Sequence, residues 1–353
     1  MKFFHKKSVL KKDRVTIKPI FMRRGKFTLT AVIILSLAAC SKKGTVAPST
    51  TIDKSTINRS LSTTCTAKLS DVDTMQIFPA NNSWNLDIST AALQSNSAQI
   101  IARISTSKLK ADFGSGLWLG APIGTPYDVV CNSQPKVTVT FRANAYDGDY
   151  GSESDKGPYP IPLNAPIEGN GQGDSHVIVI DKGNDVLYEL YNASISNGQW
   201  QASSGAIWHL NSNGLRPLGW TSADAAGLPI FPGLVRYDEI LKGVINHAIR
   251  FTLSSSNVRP IYIYPARHKV NSTGAVNSLP FGAKMRLKAS FNISAYPPHI
   301  RVILTAMKKY GIILADIGSN MYFSGAPDSR WNNDELQKIG TVTAADFEVV
   351  KYN

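Results

Sequence analysis

The strongest candidates for chemistry are polar residues at the entrance of a predicted strand. Asp174 and His176 stand where the strand 176–181 begins, and the alternation of the strand places His176 on the same buried face as Ile178 and Ile180. Histidine exchanges protons near neutral pH, and a neighbouring carboxylate such as Asp174 can orient its ring. We therefore predict a catalytic pair here, with a structural histidine beside a turn as the alternative.

A second candidate follows the predicted strand 261–264. Pro265 ends strand pairing, so Arg267 and His268 are expected in a loop at the strand end, where function is often found. His268 beside a permanent charge predicts recognition of a carboxylate, a sulfate or a sugar hydroxyl, and His268 is a second candidate for proton transfer. The alternative is a plain exposed pair.

Glu189 is the third candidate for proton transfer. It alternates with Leu187 and Tyr191 along one predicted strand. A carboxylate beside an aromatic ring, away from water, acquires a raised pKa and can act as a general acid. A cross-strand ion pair is the competing interpretation.

Basic residues on two other predicted strands suggest a substrate-binding groove. Arg286 and Lys288 lie on the polar face of strand 285–293, and Arg250 lies on the polar face of strand 245–253. If these faces adjoin, they form a basic groove, and otherwise they are solvated faces.

One acidic loop has features of a calcium site. Acidic side chains recur at intervals in the Gly-containing segment 147–155, and oxygen ligands spaced in this way can hold Ca²⁺. The predicted ligands of this possible structural Ca²⁺ are Asp147, Asp149, Glu153 and Asp155. The closing Glu of an EF-hand is absent at the required distance, so a solvated acidic turn remains the alternative.

The elements that must position these residues are mostly strands. Period-2 alternation predicts strands at 137–141, 176–181, 186–192, 205–210, 245–253, 261–264, 285–293, 312–316 and 347–350. An apolar stripe predicts a helix over 299–310, and weaker helical patterns cover 91–104 and 334–339. The expected fold is mainly β: an antiparallel β-sandwich or barrel with a few peripheral helices.

The amino terminus has the features of a bacterial lipoprotein signal. Basic residues precede a short apolar stretch that ends in Leu37-Ala38-Ala39-Cys40, and the stretch is too short to span a bilayer. We predict a signal peptide over 1–39, starting at Met1 or Met22, and lipidation of Cys40, a flexible tether over 40–70, and one β-rich domain over 71–353. The predicted location is the cell envelope, at the periplasmic or outer-membrane surface, with the membrane as a partner through the lipid anchor.

The signal also accounts for most of the charge. Residues 1–39 carry ten of the 38 basic and one of the 25 acidic residues, so the formal charge of +13 falls to +4 without them. That balance predicts no nucleic-acid partner. Because Cys40 is assigned to lipid, Cys65 and Cys131 remain and are predicted to form a disulfide in an oxidising compartment, with two unpaired thiols as the alternative.

Four sequence blocks resemble a group of exported bacterial proteins. The blocks are 122–126, 221–229 (TSADAAGLP), 264–268 (YPARH) and 286–290 (RLKAS), and the likeness extends over about 78–350. Ile317 departs from the pattern, since relatives are expected to have Asn there. The group has no established activity, so the resemblance implies export but no catalytic residues.

Two functions fit these observations. The first is an envelope enzyme that acts on extracellular polysaccharide by hydrolysis or β-elimination, with a histidine or carboxylate as the proton-transfer group. The second is a non-catalytic glycan-binding or envelope-scaffolding lipoprotein that uses the same residues for recognition. No HExxH, CxxC, GxSxG or phosphate-loop motif is present to decide between them.

Overall fold

The computed structural model describes residues 65–143 and 150–352. The predicted signal peptide, Cys40 and most of the tether lie outside these residues, as do Asp147 and Asp149 of the predicted calcium site. Within the two ranges, no helix is long and apolar enough to cross a membrane.

Strands dominate the described residues, which form 17 strands and four α-helices joined by short 3₁₀ helices. The strands are β1 (Lys110–Asp112), β2 (Leu117–Trp118), β3 (Ala121–Pro122), β4 (Asp128–Val130), β5 (Val139–Phe141), β6 (Val177–Asp181), β7 (Val186–Tyr191), β8 (Ser194–Ser196), β9 (Gln199–Ala202), β10 (Ser204–His209), β11 (Ile249–Leu253), β12 (Val258–Tyr262), β13 (Leu279–Phe281), β14 (Lys284–Leu287), β15 (Ile312–Ile317), β16 (Tyr322–Ser324) and β17 (Phe347–Val349). The α-helices are α1 (Ser97–Ile104), α2 (Tyr237–Lys242), α3 (Pro298–Lys309) and α4 (Asn333–Lys338). The 3₁₀ helices are Leu69–Asp73, Gly151–Glu153, Glu168–Asn170, Phe231–Gly233, Ser255–Asn257, Ile339–Thr341 and Ala344–Asp346.

The strands are arranged in several sheets. A six-stranded sheet has the order β1-β16-β11-β15-β14-β17, and a four-stranded sheet has the order β10-β7-β6-β4. Three smaller sheets are β5-β9-β8, β12-β13 and β2-β3. The mainly β class with few helices is confirmed, but the pairing is mixed. Parallel pairs such as β11–β15 and β4–β6 occur beside antiparallel ones, and every sheet of the described residues has two edge strands.

Two predicted strands are shorter than their alternating patterns. β14 ends at Leu287, so the predicted strand through 293 was wrong beyond that residue. The backbone N–H of Lys288 donates to the Asp346 carbonyl, and the chain then turns, with the backbone N–H of Phe291 donating to the Lys288 carbonyl at 3.0 Å. β11 begins only at Ile249. Alternation is necessary for a half-buried strand, but pairing partners decide where the strand ends.

The four-stranded sheet is buried on both faces. Alternate residues of β6 enter two apolar clusters: Val177 and Val179 pack in the smaller cluster, and Ile178 and Ile180 pack in the larger one. The larger cluster also contains the apolar residues of β11 and β15 and the buried stripe of α3. His176 continues the face of Ile178, so the strand delivers it toward the larger cluster.

A β-bulge in β15 changes which side chains share a face with β11. Arg250 is opposite Ile313, but Thr252 is opposite Asp316, so β15 uses one extra residue between the two pairs. Without this residue, Asp316 would share a face with Ile312 and Leu314. Bulges of this kind re-aim a side chain, and here the bulge places Asp316 on the face of Arg250.

A disulfide fixes the start of the described chain. Cys65 is bonded to Cys131, just after β4, with their Cα atoms 6.1 Å apart and a sequence separation of 66. Lys182 reinforces the same attachment, because its Nζ lies 2.6 Å from an Asp71 carboxylate oxygen. The junction with the predicted tether is therefore covalently held to the four-stranded sheet.

We expect the double variant Cys65→Ser/Cys131→Ser to lose about 2–4 kcal/mol of unfolding free energy, because the disulfide closes a long loop and limits the unfolded chain. Urea unfolding under oxidising and reducing conditions measures this loss. The variant serves as its own control because it should not respond to reductant. Equal stability of oxidised and reduced wild-type protein would contradict the prediction.

Candidate functional site

Two adjoining clefts of about 240 and 230 Å³ meet between the six-stranded and four-stranded sheets. Their shared wall consists of Asp174, His176, Asp316 and Ile317. Other polar or aromatic residues lining the first cleft are Tyr150, Tyr191, Ser204, Thr221, Ser222 and Asp224. Those lining the second are Asp112, Thr125, Glu168, Arg250, Thr252, Ser319, Tyr322 and Ser324. We refer to the two together as the polar cleft.

His176 is fixed by both of its ring nitrogens. Nδ1 lies 2.5 Å from Glu168 Oε2, and Nε2 lies 3.1 Å from the carbonyl oxygen of Ala223. Because both acceptors are oxygens, both ring nitrogens donate, which is the arrangement of an imidazolium. The partner of His176 is therefore Glu168 and not the predicted Asp174, which is exposed at the cleft.

The ion pair holds both groups in their charged forms. Burial opposes both charges, but the attraction between the two groups outweighs it. The pKa of Glu168 falls to about 2, and the pKa of His176 rises to about 9. Thr125 adds a hydrogen bond of 2.6 Å to the other Glu168 oxygen. His176 is thus held in its cationic form at neutral pH with both N–H groups engaged, and this geometry does not suit the predicted role in proton transfer.

Arg250 forms the opposite wall and is also fully engaged. Its Nε and Nη2 donate to the two oxygens of Asp224 at 2.7 and 2.8 Å, and its Nη1 donates to Ser324 Oγ at 2.9 Å. Nη2 also lies 3.3 Å from Asp316 Oδ2. Arg250 is buried. The sequence pattern had predicted it on a polar strand face, either solvated or forming a basic groove, and both predictions were wrong. It acts on the cleft through the carboxylates that it holds.

Asp316 is the most perturbed acid of the polar cleft. Burial raises its pKa first and the charge of Asp224 raises it further, while Arg250 opposes both. The exposed carboxylate of Asp174 adds to the increase, and the pKa reaches about 8. The backbone N–H of Ile317 donates to the other oxygen at 2.6 Å. Burial and the charge of Asp224 therefore favour the protonated form of Asp316, which lines the same cavity as Asp174.

Two residues of the predicted calcium site fasten the loop beside the cleft. Glu153 accepts the backbone N–H of Thr221 at 2.7 Å, and Asp155 accepts that of Ile207 at 2.8 Å while it pairs with Arg216. Their carboxylates thus have protein partners. The described ranges contain no group of three acidic, histidine or cysteine residues that could hold a metal ion.

Glu189 is a buried structural acid and does not line the polar cleft. Its carboxylate accepts the backbone N–H groups of Ile230 and Phe231 at 2.8–3.1 Å, at the start of a 3₁₀ helix. Burial raises its pKa to about 7 despite these hydrogen bonds. Glu189 thus has the apolar environment expected for a general acid, but its carboxylate accepts backbone hydrogen bonds inside the core and cannot reach the cleft.

The remaining predicted binding residues are divided between two places. His268 lies near the polar cleft, with Nδ1 2.8 Å from the Ala225 carbonyl oxygen and its ring 5.9 Å from that of Tyr150. Arg267 donates to the Arg216 carbonyl at 2.9 Å and lines neither cleft.

The predicted basic groove does not form. Arg286 is held on β14 by Glu348 at 2.7 Å, and Lys288 donates to the Ala345 carbonyl at 2.7 Å. Neither lines the polar cleft, whereas Arg250 does. The two strands are separated in the sheet by β15, and the turn after Leu287 removes Lys288 from the strand.

A larger cavity of about 420 Å³ lies elsewhere, near α2. Its charged groups are paired with one another: Arg236 Nη2 and His247 Nε2 lie 2.5 and 3.0 Å from Glu239 Oε1. Size alone would favour this cavity, but Glu239 has a lowered pKa and lies between Arg236 and His247. Its second acid, Asp73, has a pKa raised by burial but lies 3.6 Å from Lys242. The polar cleft, which contains an acid of strongly raised pKa and an exposed carboxylate, is the better candidate for chemistry.

The His176–Glu168 pair predicts a specific dependence of stability on pH. The folded protein keeps a proton on His176 that the unfolded chain releases near pH 6.5, so this contribution is complete below about 6.5 and is lost as the pH rises through about 9. His176→Gln should be less stable than wild type at pH 6, and the difference should shrink toward pH 9.5. Urea unfolding across this range measures it.

The exposed His209, at the end of β10, supplies the matched control. His209→Gln should follow the wild-type pH dependence, which also includes the protons held by Asp316 and Glu189. The ion-pair account fails if the stability difference between wild type and His176→Gln stays constant from pH 6 to 9.5.

Comparison of the chain with protein-family models, curated proteins and solved structures finds no match in any of the three. The chemistry of the polar cleft therefore rests on its own residues. One of the four sequence blocks on which the predicted resemblance depends contributes directly to the cleft, since residues 221–225 line it. A second block, 264–268, contains His268, whose ring lies 5.9 Å from that of Tyr150.

Proposed function

We propose that the protein hydrolyses glycosidic bonds of an extracellular polysaccharide in the polar cleft. The observation that carries this proposal is that two carboxyl groups in different environments line the same cavity: Asp316, whose pKa is raised by burial, and the exposed Asp174. Most glycosidases use one protonated and one ionised carboxyl group, whose environments separate their pKa values.

The two carboxyl groups have complementary roles in this reaction. Asp316 donates its proton to the glycosidic oxygen as the bond to the leaving sugar breaks. Asp174 stabilises the positive charge that develops on the sugar, and either attacks the anomeric carbon or takes a proton from the water that attacks it. Arg250 and Asp224 act through Asp316, which makes them positioning residues. The His176–Glu168 pair keeps the wall beneath Asp174 fixed.

Hydrolysis is favoured over β-elimination by the state of the candidate bases. Elimination needs a group that removes a proton from a sugar carbon, and His176 was one of the candidates for proton transfer in the sequence. Both ring nitrogens of His176 carry protons that they donate to oxygen atoms, so the ring offers no lone pair. An acid such as Asp316 instead serves the first step of hydrolysis.

Glycan binding without catalysis is the second candidate function. Tyr150 and Tyr191 line the first cleft, and aromatic rings are surfaces on which sugar rings stack. A scaffold or lectin-like protein would use these rings and the carboxylates only as hydrogen-bonding groups. Bound oligosaccharide without product release would identify this function.

We also infer a two-layer arrangement and an envelope location. The shared larger core supports a sandwich of the six-stranded and four-stranded sheets, because apolar side chains of both sheets enter it. The lipoprotein-like segment that ends at Cys40 supports anchoring in the cell envelope with the β-rich domain exposed to extracellular polymer.

We expect Asp316→Asn and Asp174→Asn each to lower kcat for polysaccharide hydrolysis by about 10²–10⁴-fold, because each removes a proton-transfer group. Wild-type kcat should fall above about pH 8 as Asp316 loses its proton. Reducing-sugar release from a panel of polysaccharides measures both effects.

Asp185→Asn is the matched control, because Asp185 is exposed in a turn at φ 52°, which asparagine also tolerates. This variant should keep wild-type activity. Undiminished hydrolysis by Asp316→Asn would refute the assignment of the acid.

Anchoring is tested by Cys40→Ser. We expect this change to move the protein from the membrane fraction to the soluble fraction or to leave an unprocessed precursor, because the acylated sulfur is lost. Fractionation and intact mass measure the outcome, with Cys65→Ser/Cys131→Ser as the control for cysteine loss at other positions. Unchanged mass and partitioning of Cys40→Ser would exclude lipidation at this position.

A further inference from the structure

The polar cleft has more acidic than basic groups in its lining. Its carboxyl groups are those of Asp112, Glu168, Asp174, Asp224 and Asp316. Its cationic groups are those of His176 and Arg250. A substrate that enters the cleft therefore meets a predominantly acidic surface.

Both cationic groups of the lining are already paired with carboxylates of the lining. His176 is bound to Glu168 at 2.5 Å, and Arg250 forms its two-pronged contact with Asp224. Arg250 reaches Asp316 only through the longer contact of 3.3 Å. Three carboxyl groups, those of Asp112, Asp174 and Asp316, thus lack a close cation of their own among the lining residues.

The closeness of these carboxyl groups helps to raise the pKa of two of them. Asp112 is exposed at the end of β1, but partial desolvation by the cleft and then the charge of Glu168 raise its pKa. The pKa of Asp316 is raised by burial and then by the charge of Asp224. Asp174 contributes to the increase at both groups. A positive charge placed beside Asp112 and Asp174 would reduce the repulsion between their carboxylates.

We propose, on the basis of the function proposed above, that the substrate is a polysaccharide of amino sugars with free ammonium groups. An ammonium group offers three N–H donors, and carboxylates are its strongest acceptors. Asp112 and Asp174 line the second cleft, which receives the charged sugar, while Asp316 meets the glycosidic oxygen. Tyr150 and Tyr191 border the first cleft, where a neighbouring sugar ring packs.

This inference reverses the substrate charge suggested by the sequence. Arg267, Arg286 and Lys288 favoured an anionic or hydroxyl-rich glycan, but none of them lines the cleft. Arg250 does line it, with its charge balanced by Asp224. The acidic lining would repel a polymer of uronic acids and attract a polymer of glucosamine.

The test compares three oligosaccharide series of equal length with the full chain in detergent. These are glucosamine oligomers, their fully N-acetylated forms, which are neutral, and galacturonic acid oligomers, which are anionic. We expect glucosamine oligomers to bind at least about tenfold more tightly than the neutral series in calorimetry at low salt, with the advantage shrinking as salt is added. Product release is measured on the same series.

Asp112→Asn is the informative variant, because Asp112 belongs to the charge cluster but has no role in bond cleavage. It should reduce the advantage of the glucosamine series over the N-acetylated series severalfold, and Asp185→Asn should leave the advantage unchanged. Calcium titration of the wild-type protein serves as a further control, and displacement of glucosamine oligomers by micromolar Ca²⁺ would overturn the inference in favour of a metal site.

The outcomes separate this inference from the proposed hydrolysis. Equal or better binding and cleavage of the neutral or anionic series would overturn the amino-sugar inference and leave hydrolysis standing. Glucosamine binding without product release would support the inference and overturn hydrolysis. If none of the three series is bound or cleaved, both are wrong for these sugars, and the broader polysaccharide panel decides whether hydrolysis survives.

Discussion

The buried guanidinium of Arg250 is the interaction on which the candidate site depends. A charge in this position is costly unless it is paired and hydrogen-bonded, and Asp224 supplies a two-pronged partner from the loop that lines the cleft. The same guanidinium contacts Ser324 on β16 and Asp316 on β15. Arg250 therefore ties one loop and two strands to β11, and it sets the charge that Asp316 experiences.

The two sheets supply opposite walls with different electrostatics. The four-stranded sheet and the chain leading into it carry His176 and Glu168, which satisfy each other as a complete ion pair. The six-stranded sheet carries Asp316, which must share Arg250 with the closer and better aligned Asp224. Burial, acting on a carboxyl group with only incomplete pairing, raises the pKa of Asp316, whereas the complete ion pair with His176 lowers that of Glu168. Separation of acid strengths within one cavity is the physical basis of the general acid catalysis that we propose.

The sequence predicted the strands well where alternation coincided with pairing. The strands predicted at 176–181 and 186–192 appear as β6 and β7, and the helix predicted over 299–310 appears as α3. The face of His176 followed from the same alternation. The strand prediction was wrong beyond Leu287, because polar and apolar residues can also alternate along a chain that turns.

The site was only partly predictable because its main contacts are distant in sequence. Glu168 was missed as the partner of His176, although it directly precedes a Gly-containing loop, because nothing local shows that the loop folds back. The bulge that brings Asp316 to Arg250 depends on how β11 and β15 pair, and the sequence of one strand does not specify that pairing. Asp224 lies in the sequence block 221–229, but only the fold reveals its pairing with Arg250.

The central claim is that burial, together with the charge of Asp224 that already engages Arg250, raises the pKa of Asp316 and favours its protonated form at neutral pH. The most direct measurement is a carbon-detected NMR titration of the aspartate carboxyl groups, with Asp316→Asn used to assign the resonance. The account predicts that the Asp316 carboxyl titrates near pH 8 and that its pKa falls in Asp224→Asn. Titration of Asp316 in the ordinary aspartate range near pH 4 in the wild-type protein would contradict it.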